Sequence, residues 1–290
     1  MSYWKNRWNK RSALKLGWKP EWFGTLNFDN NLLEAIESFQ RRFNVKVDGL
    51  CGKETYRLIM TEREANKDLV ESVSYIICHG DKIPIAWGKV RQHPLPTFTF
   101  KKSKKERKPY QAILHWDAAL SANSAYKILR KRKYSTHFVI DNDGTIVQMV
   151  DTNDIAWHAG KVNKISIGID FSNAFYTKYQ SWYRKRGFGN RPVLNSRVHG
   201  RRLGAHLGYY EVQVNALNAL LIALHEHYGI ELKCPLKDGK LLETVDESIG
   251  ERKFRGVANH YNVTKKKIDC AGLKLDEILE DLRHEQETNS

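Results

Sequence analysis

The chain has 290 residues, enough for one large domain and a small one with an apolar core in each. Lys plus Arg outnumber Asp plus Glu by 48 to 33, and this formal net charge of +15 favours polyanionic partners such as nucleic acid, anionic lipid or an anionic cell wall. No apolar run approaches the roughly 18 to 20 residues of a membrane span, no signal-peptide pattern opens the sequence, and Cys51, Cys78, Cys234 and Cys270 share no CxxC spacing, so synthesis in a reducing cytoplasm is expected.

Residues 1–22 read as a basic arm. Lys5, Arg7, Lys10, Arg11, Lys15 and Lys19 alternate with Trp4, Trp8 and Trp18, and no acid occurs before Glu21. Such an arm suits a phosphate-rich surface, or it packs back on its own domain through the tryptophans. Leu32, Leu33, Ile36, Phe39 and Phe43 then recur at helical spacing, Val47-Asp48-Gly49 makes a turn, and Glu54 to Met60 forms a second helix after Gly52.

The order Phe39-Gln40, Asp48-Gly49, Gly52 and Thr55 resembles the small helical peptidoglycan-binding domain. The resemblance sets limits of 23–65 and implies that Phe39 and Asp48 meet the wall polymer. On local structure alone the same residues are core and turn determinants.

Residues 66–108 carry few periodic signals and end in a run from Lys101 to Lys108 that reads as solvated charge, so linker plus peripheral elements are expected. Residues 109–285 alternate strands and helices. Ala112 to His115 is a strand, Asn123 to Lys131 a basic helix, and His137 to Ile140 with Thr145 to Val150 a hairpin around Asp141-Asn142-Asp143-Gly144. Ile165 to Phe171 is a buried strand, and Glu211 to Tyr228 a helix with Val212, Leu217, Leu220, Leu221 and Leu224 on a broad apolar face. The pattern predicts an α/β (α+β) fold, with a mixed central sheet flanked by helices and a small N-terminal helical domain.

Three side chains suit a catalytic metal. His115 closes the apolar strand Ala112-Ile113-Leu114, and His260 and Cys270 bracket a polar loop before the final helix. Two His and one Cys leave zinc's fourth position open for water, which marks a catalytic rather than a structural ion.

Several strings in order resemble the zinc-dependent N-acetylmuramoyl-L-alanine amidases, the family shared by phage endolysins and peptidoglycan-recognition proteins. They are Ile113-Leu114-His115, Ser135-Thr136-His137-Phe138-Val139-Ile140 with Asp143-Gly144-Thr145-Ile146, Ala156-Trp157-His158-Ala159-Gly160, Ile167-Gly168-Ile169-Asp170, and His260 with Cys270-Ala271-Gly272. The resemblance implies a zinc ion (Zn2+) on His115, His260 and Cys270. Ala271 stands where the family has proline, and Asp269, immediately before Cys270, is a rival ligand. Cys270 keeps the family's distance to the glycine and offers a thiolate.

Asp170 falls where relatives often place a Glu, which implies a proton-transfer or orienting role. The family's oxyanion lysine stands two residues before its last ligand. That position is Ile268 if Cys270 binds zinc and Lys267 if Asp269 does. His158 is expected to line the groove as an alternative donor, with Trp157 offering an apolar face to sugar or stem peptide. Thr136 and His137 are placed on the substrate side, structural hydrogen bonding being the other reading for His137.

The implied function is a modular peptidoglycan hydrolase that cuts the amide between N-acetylmuramic acid and L-Ala. A phage endolysin, monomeric and released through a holin, is the expected setting. Basic charge would add adsorption to anionic wall polymers or outer-membrane phosphates. A non-catalytic peptidoglycan receptor is the second class, and retention of the ligands argues against it. Specific nucleic-acid binding rests on charge alone, without a recognisable motif.

Overall fold

The computed structural model describes residues 2–25, 27–65 and 74–288. The chain forms two compact units, one of residues 1–68 with 178–190 and the other of residues 69–177 with 191–290. Of the expected linker, residues 66–73 lie outside the described residues.

The first unit is helical: α1 (Ser2–Leu16), α2 (Asn30–Arg42) and α3 (Lys53–Ala65), with a 3-10 turn at Pro20–Phe23. Asp29 caps α2 by accepting from the Leu32 N–H at 3.2 Å, satisfying one of the donors that a helix start leaves free. The stripe read from the sequence turns inward, so that Leu32 and Ile36 pack with Ala13, Trp18 and Cys51. Residues 2–16, expected as an arm, are thus a helix belonging to this unit, and the self-packing alternative describes Trp18 correctly.

The motif residues tie the turn between α2 and α3. The buried Gln40 amide nitrogen faces Asp48 Oδ1, Leu50 O and Thr55 Oγ1 at 3.0 to 3.1 Å, while its oxygen accepts the Asp48 and Gly49 N–H groups at 3.0 and 2.9 Å. Gly49 sits at φ 70°, where glycine carries no steric cost. Asp48 also accepts from the Leu50 N–H at 2.9 Å, which ties it into the turn. Phe39 differs, because it lines a pocket of about 330 Å³ with Trp22, Phe23 and Arg42.

The second unit is built on a six-stranded sheet: β1 (Val90–Gln92), β2 (Gln111–Trp116), β3 (Phe138–Ile140), β4 (Ile146–Gln148), β5 (Ser166–Phe171) and β6 (Gly256–Asn259). The spatial order is β6-β2-β5-β3-β4-β1. Only the β3–β4 hairpin is antiparallel, and the other neighbours run parallel. The edge strand β1 comes from the stretch expected to be linker and peripheral elements.

Side chains alternate between the two faces of the sheet. Ala112, Leu114, Ile167, Ile169 and Phe171 join the main core under α5 (Glu211–Tyr228) and α7 (Leu275–Thr288). Ile113 goes to the other face, with Val162 and Ile249. Val139 and Val147 also pack there, against Ala122 and Ala125 of α4 (Ala122–Arg132). Helix α5 keeps the bounds expected from its periodicity and stops at Gly229, φ 66°.

The charge run near residue 105 is not wholly solvated. Arg107 is 8% exposed and donates to the carbonyls of Thr152, Asn163 and Ser166. A guanidinium so buried requires this full set of acceptors, and it pins the start of β5 to the loops before it.

Candidate active site

Strand register delivers the first two site residues. His115 and Asp170 are paired neighbours near the ends of β2 and β5, so their side chains stand side by side on one face. Asn259 pairs with Leu114, and His260 follows it at the start of the one-turn helix α6 (His260–Val263). The carboxyl ends of parallel strands are where open sheets present such groups.

His115 Nδ1 and His260 Nδ1 lie 2.9 Å apart, and Asp269 Oδ2 is 3.2 Å from the first and 2.9 Å from the second. Four-coordinate zinc with bonds of about 2.0 to 2.1 Å holds its ligand atoms roughly 3.3 Å apart. The triangle is slightly tighter than that and all three residues are buried, so the donor set fits such an ion.

Cys270 is not part of this triangle. The two adjacent side chains diverge within the turn that carries them: Asp269 faces the histidines, and Cys270 is 0% exposed in the core beneath the sheet, hydrogen-bonded with Tyr209. Burial pushes its thiol well above the usual range. Cys270, expected as the third donor, thus lies outside the cluster, and Asp269, its rival in the sequence, stands in that place.

Ionisation states agree with a metal centre. Burial, with the neighbouring His260, lowers His115 to about 4, leaving a neutral imidazole at pH 7. Burial alone would raise Asp269, but its contacts with His115 and His260 outweigh it and hold the carboxyl well below the usual carboxylate range. Asp170 goes the other way: burial raises it to about 7, the Asp269 charge adds to the rise, and a Thr136 hydrogen bond and the Lys267 charge oppose it.

Behind His115 runs a chain of hydrogen bonds. His115 Nε2 is 3.0 Å from His158 Nδ1, His158 Nε2 is 3.2 Å from Ser166 Oγ, and Ser166 Oγ donates to the Val162 carbonyl at 2.8 Å. A serine hydroxyl has one proton, and here a carbonyl takes it. His158 must then donate through Nε2 and, held neutral by burial, accept through Nδ1. His115 consequently carries its proton on Nε2, and its Nδ1 lone pair faces His260 and Asp269.

Gly168 makes room for this stack. A Cβ there would meet His158 Cγ at 2.7 Å and Thr136 Oγ1 at 2.9 Å.

The triangle opens on a groove of about 950 Å³. Its walls include Trp157 and Tyr134, 37% and 57% exposed, and the exposed cations Arg132, Lys133, Lys161, Lys266 and Lys267. Thr136 and His158 also line it. His137 does not reach it: the ring is 0% exposed, accepts from the Gly168 N–H at 2.9 Å and donates to the Asp154 carbonyl at 3.1 Å. Its expected place on the substrate side is corrected to that of a brace between β3 and β5.

With this geometry in place, comparison with known families is decisive. Residues 71–269 match the family described as N-acetylmuramoyl-L-alanine amidase. The chain belongs to that family. Residues 16–59 of the amidase match a putative peptidoglycan binding domain, and peptidoglycan is its substrate.

No curated protein matches the sequence of the amidase. Among solved structures it is similar to the N-acetylmuramoyl-L-alanine amidase LysC from Clostridium intestinale URNW, with 17% identity over 67% of this chain and 97% of that one and a TM-score of 0.42. The Staphylococcus aureus hydrolase AmiA in complex with its ligand gives 11% identity, 69% and 85% coverage and a TM-score of 0.44. A mutant endolysin from Bacillus subtilis gives 16%, 68%, 97% and 0.39. Among the described residues of the amidase, no helix is long and apolar enough to cross a membrane.

Sequence reasoning missed Ser166 and the groove cations outside Lys267. Ser166 belongs to no motif. The only signal for it was its place at the head of the strand that ends in Asp170.

Proposed function

We propose that this amidase is a zinc enzyme in which His115, His260 and Asp269 hold the ion, Asp170 moves the proton, and Lys267 faces the developing oxyanion. The observation that carries the reading is the buried His115–His260–Asp269 triangle opening directly on the basic groove. Bound there, zinc supplies a water acidified towards neutrality and polarises the scissile carbonyl.

Asp170, raised to about 7, can both take a proton and return it to the leaving amine. The Thr136 hydrogen bond orients that carboxyl. Lys267 lies in the groove two residues before Asp269, the spacing that the family's lysine has to its last ligand. Trp157 presents a ring face to sugar or stem peptide. In the helical unit, the pocket with Phe39 offers a hold on the same polymer.

A wall-binding unit joined to a wall-cutting one suits a phage endolysin acting in host lysis, and we place the protein there. Incubating the purified protein with sacculi should free L-Ala amino groups, with about one zinc per chain by elemental analysis. Metal-dependent release of reducing sugar ends instead of amino groups would overturn the reading.

The chain through His158 yields an expectation of its own. Ser166→Ala removes the acceptor that fixes the His158 tautomer, and losing a hydrogen bond that orients a metal-binding imidazole from behind costs about 10- to 100-fold in metal affinity. Chelator competition should show that weakening in Ser166→Ala, and nitrogen-15 spectra of the histidines should show a mixed His158 tautomer. Unchanged affinity would remove Ser166 from the site.

A further inference from the structure

Helix α1 buries small and polar side chains and leaves most of its large apolar ones exposed. Its inner face carries Ala13 and the half-buried Leu16 but is anchored by polar bonds: Asn9, 0% exposed, donates to the Gly49 carbonyl and accepts from the Cys51 N–H, both at 2.9 Å. Ser12 donates to the Cys51 carbonyl at 2.6 Å and accepts from the Trp18 indole at 3.2 Å, and Lys5 reaches Glu37 at 3.5 Å. Tyr3, Trp4 and Leu14 are 79%, 50% and 83% exposed, and Trp8 is 39% exposed with its ring edge beside Gly52.

The helix cannot roll those side chains inward without breaking the Asn9 and Ser12 bonds, each buried and therefore costly to lose. Burying apolar surface is the usual reason for a helix to choose its inner face. Here polar bonds fix the orientation, and the aromatic face is left for something else.

The same outer face carries Arg7, Lys10, Arg11 and Lys15, all exposed. At 100° per residue Tyr3, Arg7, Lys10 and Leu14 follow one stripe, and Trp4, Trp8, Arg11 and Lys15 the next. Rings and cations are therefore interleaved along the whole helix, which bears no acid.

We propose that this face of α1 docks on an anionic lipid surface. The rings and Leu14 enter the headgroup boundary while the four cations meet phosphates, the arrangement by which interfacial helices bind. A hydrophilic polyanion, whether wall polymer or nucleic acid, would use the cations and leave Tyr3 and Leu14 in water. A zwitterionic bilayer would use the rings and leave the charges. Only a surface both apolar and anionic matches both halves of the face.

The test is co-sedimentation of the full-length protein with large unilamellar vesicles of phosphatidylglycerol and phosphatidylcholine, against phosphatidylcholine alone. Two double variants separate the contributions, Arg7→Glu with Arg11→Glu and Tyr3→Ser with Leu14→Ser. All four side chains are exposed, so amide release from a soluble muropeptide should be unchanged and certifies the fold. The expected result is binding to the anionic vesicles only, with each pair weakening it at least tenfold. Binding of either variant like the wild type, loss in the charge pair alone, or stronger retention on duplex DNA than on vesicles would each overturn the proposal.

Discussion

Asp269→Ala should abolish both zinc binding and amide cleavage, while Cys270→Ser should keep both. Asp269 supplies the third corner of the ligand triangle, at 2.9 and 3.2 Å from the two histidine nitrogens. Without it only the two imidazoles remain, one ligand short of the three that a catalytic zinc takes from protein. The activity loss should reach the background of the assay. Cys270 lies in the core, so Cys270→Ser places a hydroxyl among apolar side chains and costs stability instead, about 1 to 3 kcal/mol. Elemental analysis together with thermal unfolding separates the two outcomes. Zinc loss in Cys270→Ser with zinc retained in Asp269→Ala would reverse the assignment.

Asp170→Asn should lower kcat by about 10²- to 10⁴-fold, the usual worth of a positioned acid-base group, with zinc content intact. The accompanying stability change has a definite sign. Burial raises the folded carboxyl from 3.8 to about 7, so the folded state holds the proton more tightly than the unfolded chain does. The stability this contributes is fully present below the unfolded value and is lost as pH rises through about 7. At pH 8 the wild type bears the whole penalty of a buried charge, and the asparagine variant does not. In metal-free protein, Asp170→Asn should therefore melt no lower than wild type at pH 8 and should lose that advantage towards pH 4. A large drop in Tm at pH 8 would make Asp170 a structural residue instead.

How far the sequence could be read depends on what each feature rests upon. Helix α5 was legible to the residue because its apolar face and Gly229 are local signals. The strands carrying His115 and Asp170 were legible as apolar runs, and their neighbourhood followed from ordered motifs. The third ligand was not legible, because motif spacing tolerates either Asp269 or Cys270 and only the backbone decides which of two adjacent side chains faces the histidines. Ser166 escaped for a related reason, since its importance lies in where one hydroxyl proton goes. Arg107 escaped because a basic residue in a basic run reads as solvated until its three carbonyl acceptors, all far along the chain, are seen. Similarly, the bonds by which Gln40 and Asp48 tie their own turn are visible only once the turn is folded.

The helical unit is discontinuous in sequence. Its second piece, residues 178–190, brings Phe188 under the Arg57 guanidinium at 5.1 Å and packs Gly187 so tightly on Lys53 that an added Cβ would sit 3.1 Å from the lysine's own. The family match for the wall-binding part covers only residues 16–59. A graft cut at those limits leaves behind both α1 and the packing partner of α3. Anyone exchanging wall-binding parts between such enzymes should treat this one as a plug with two leads, moved whole or left in place.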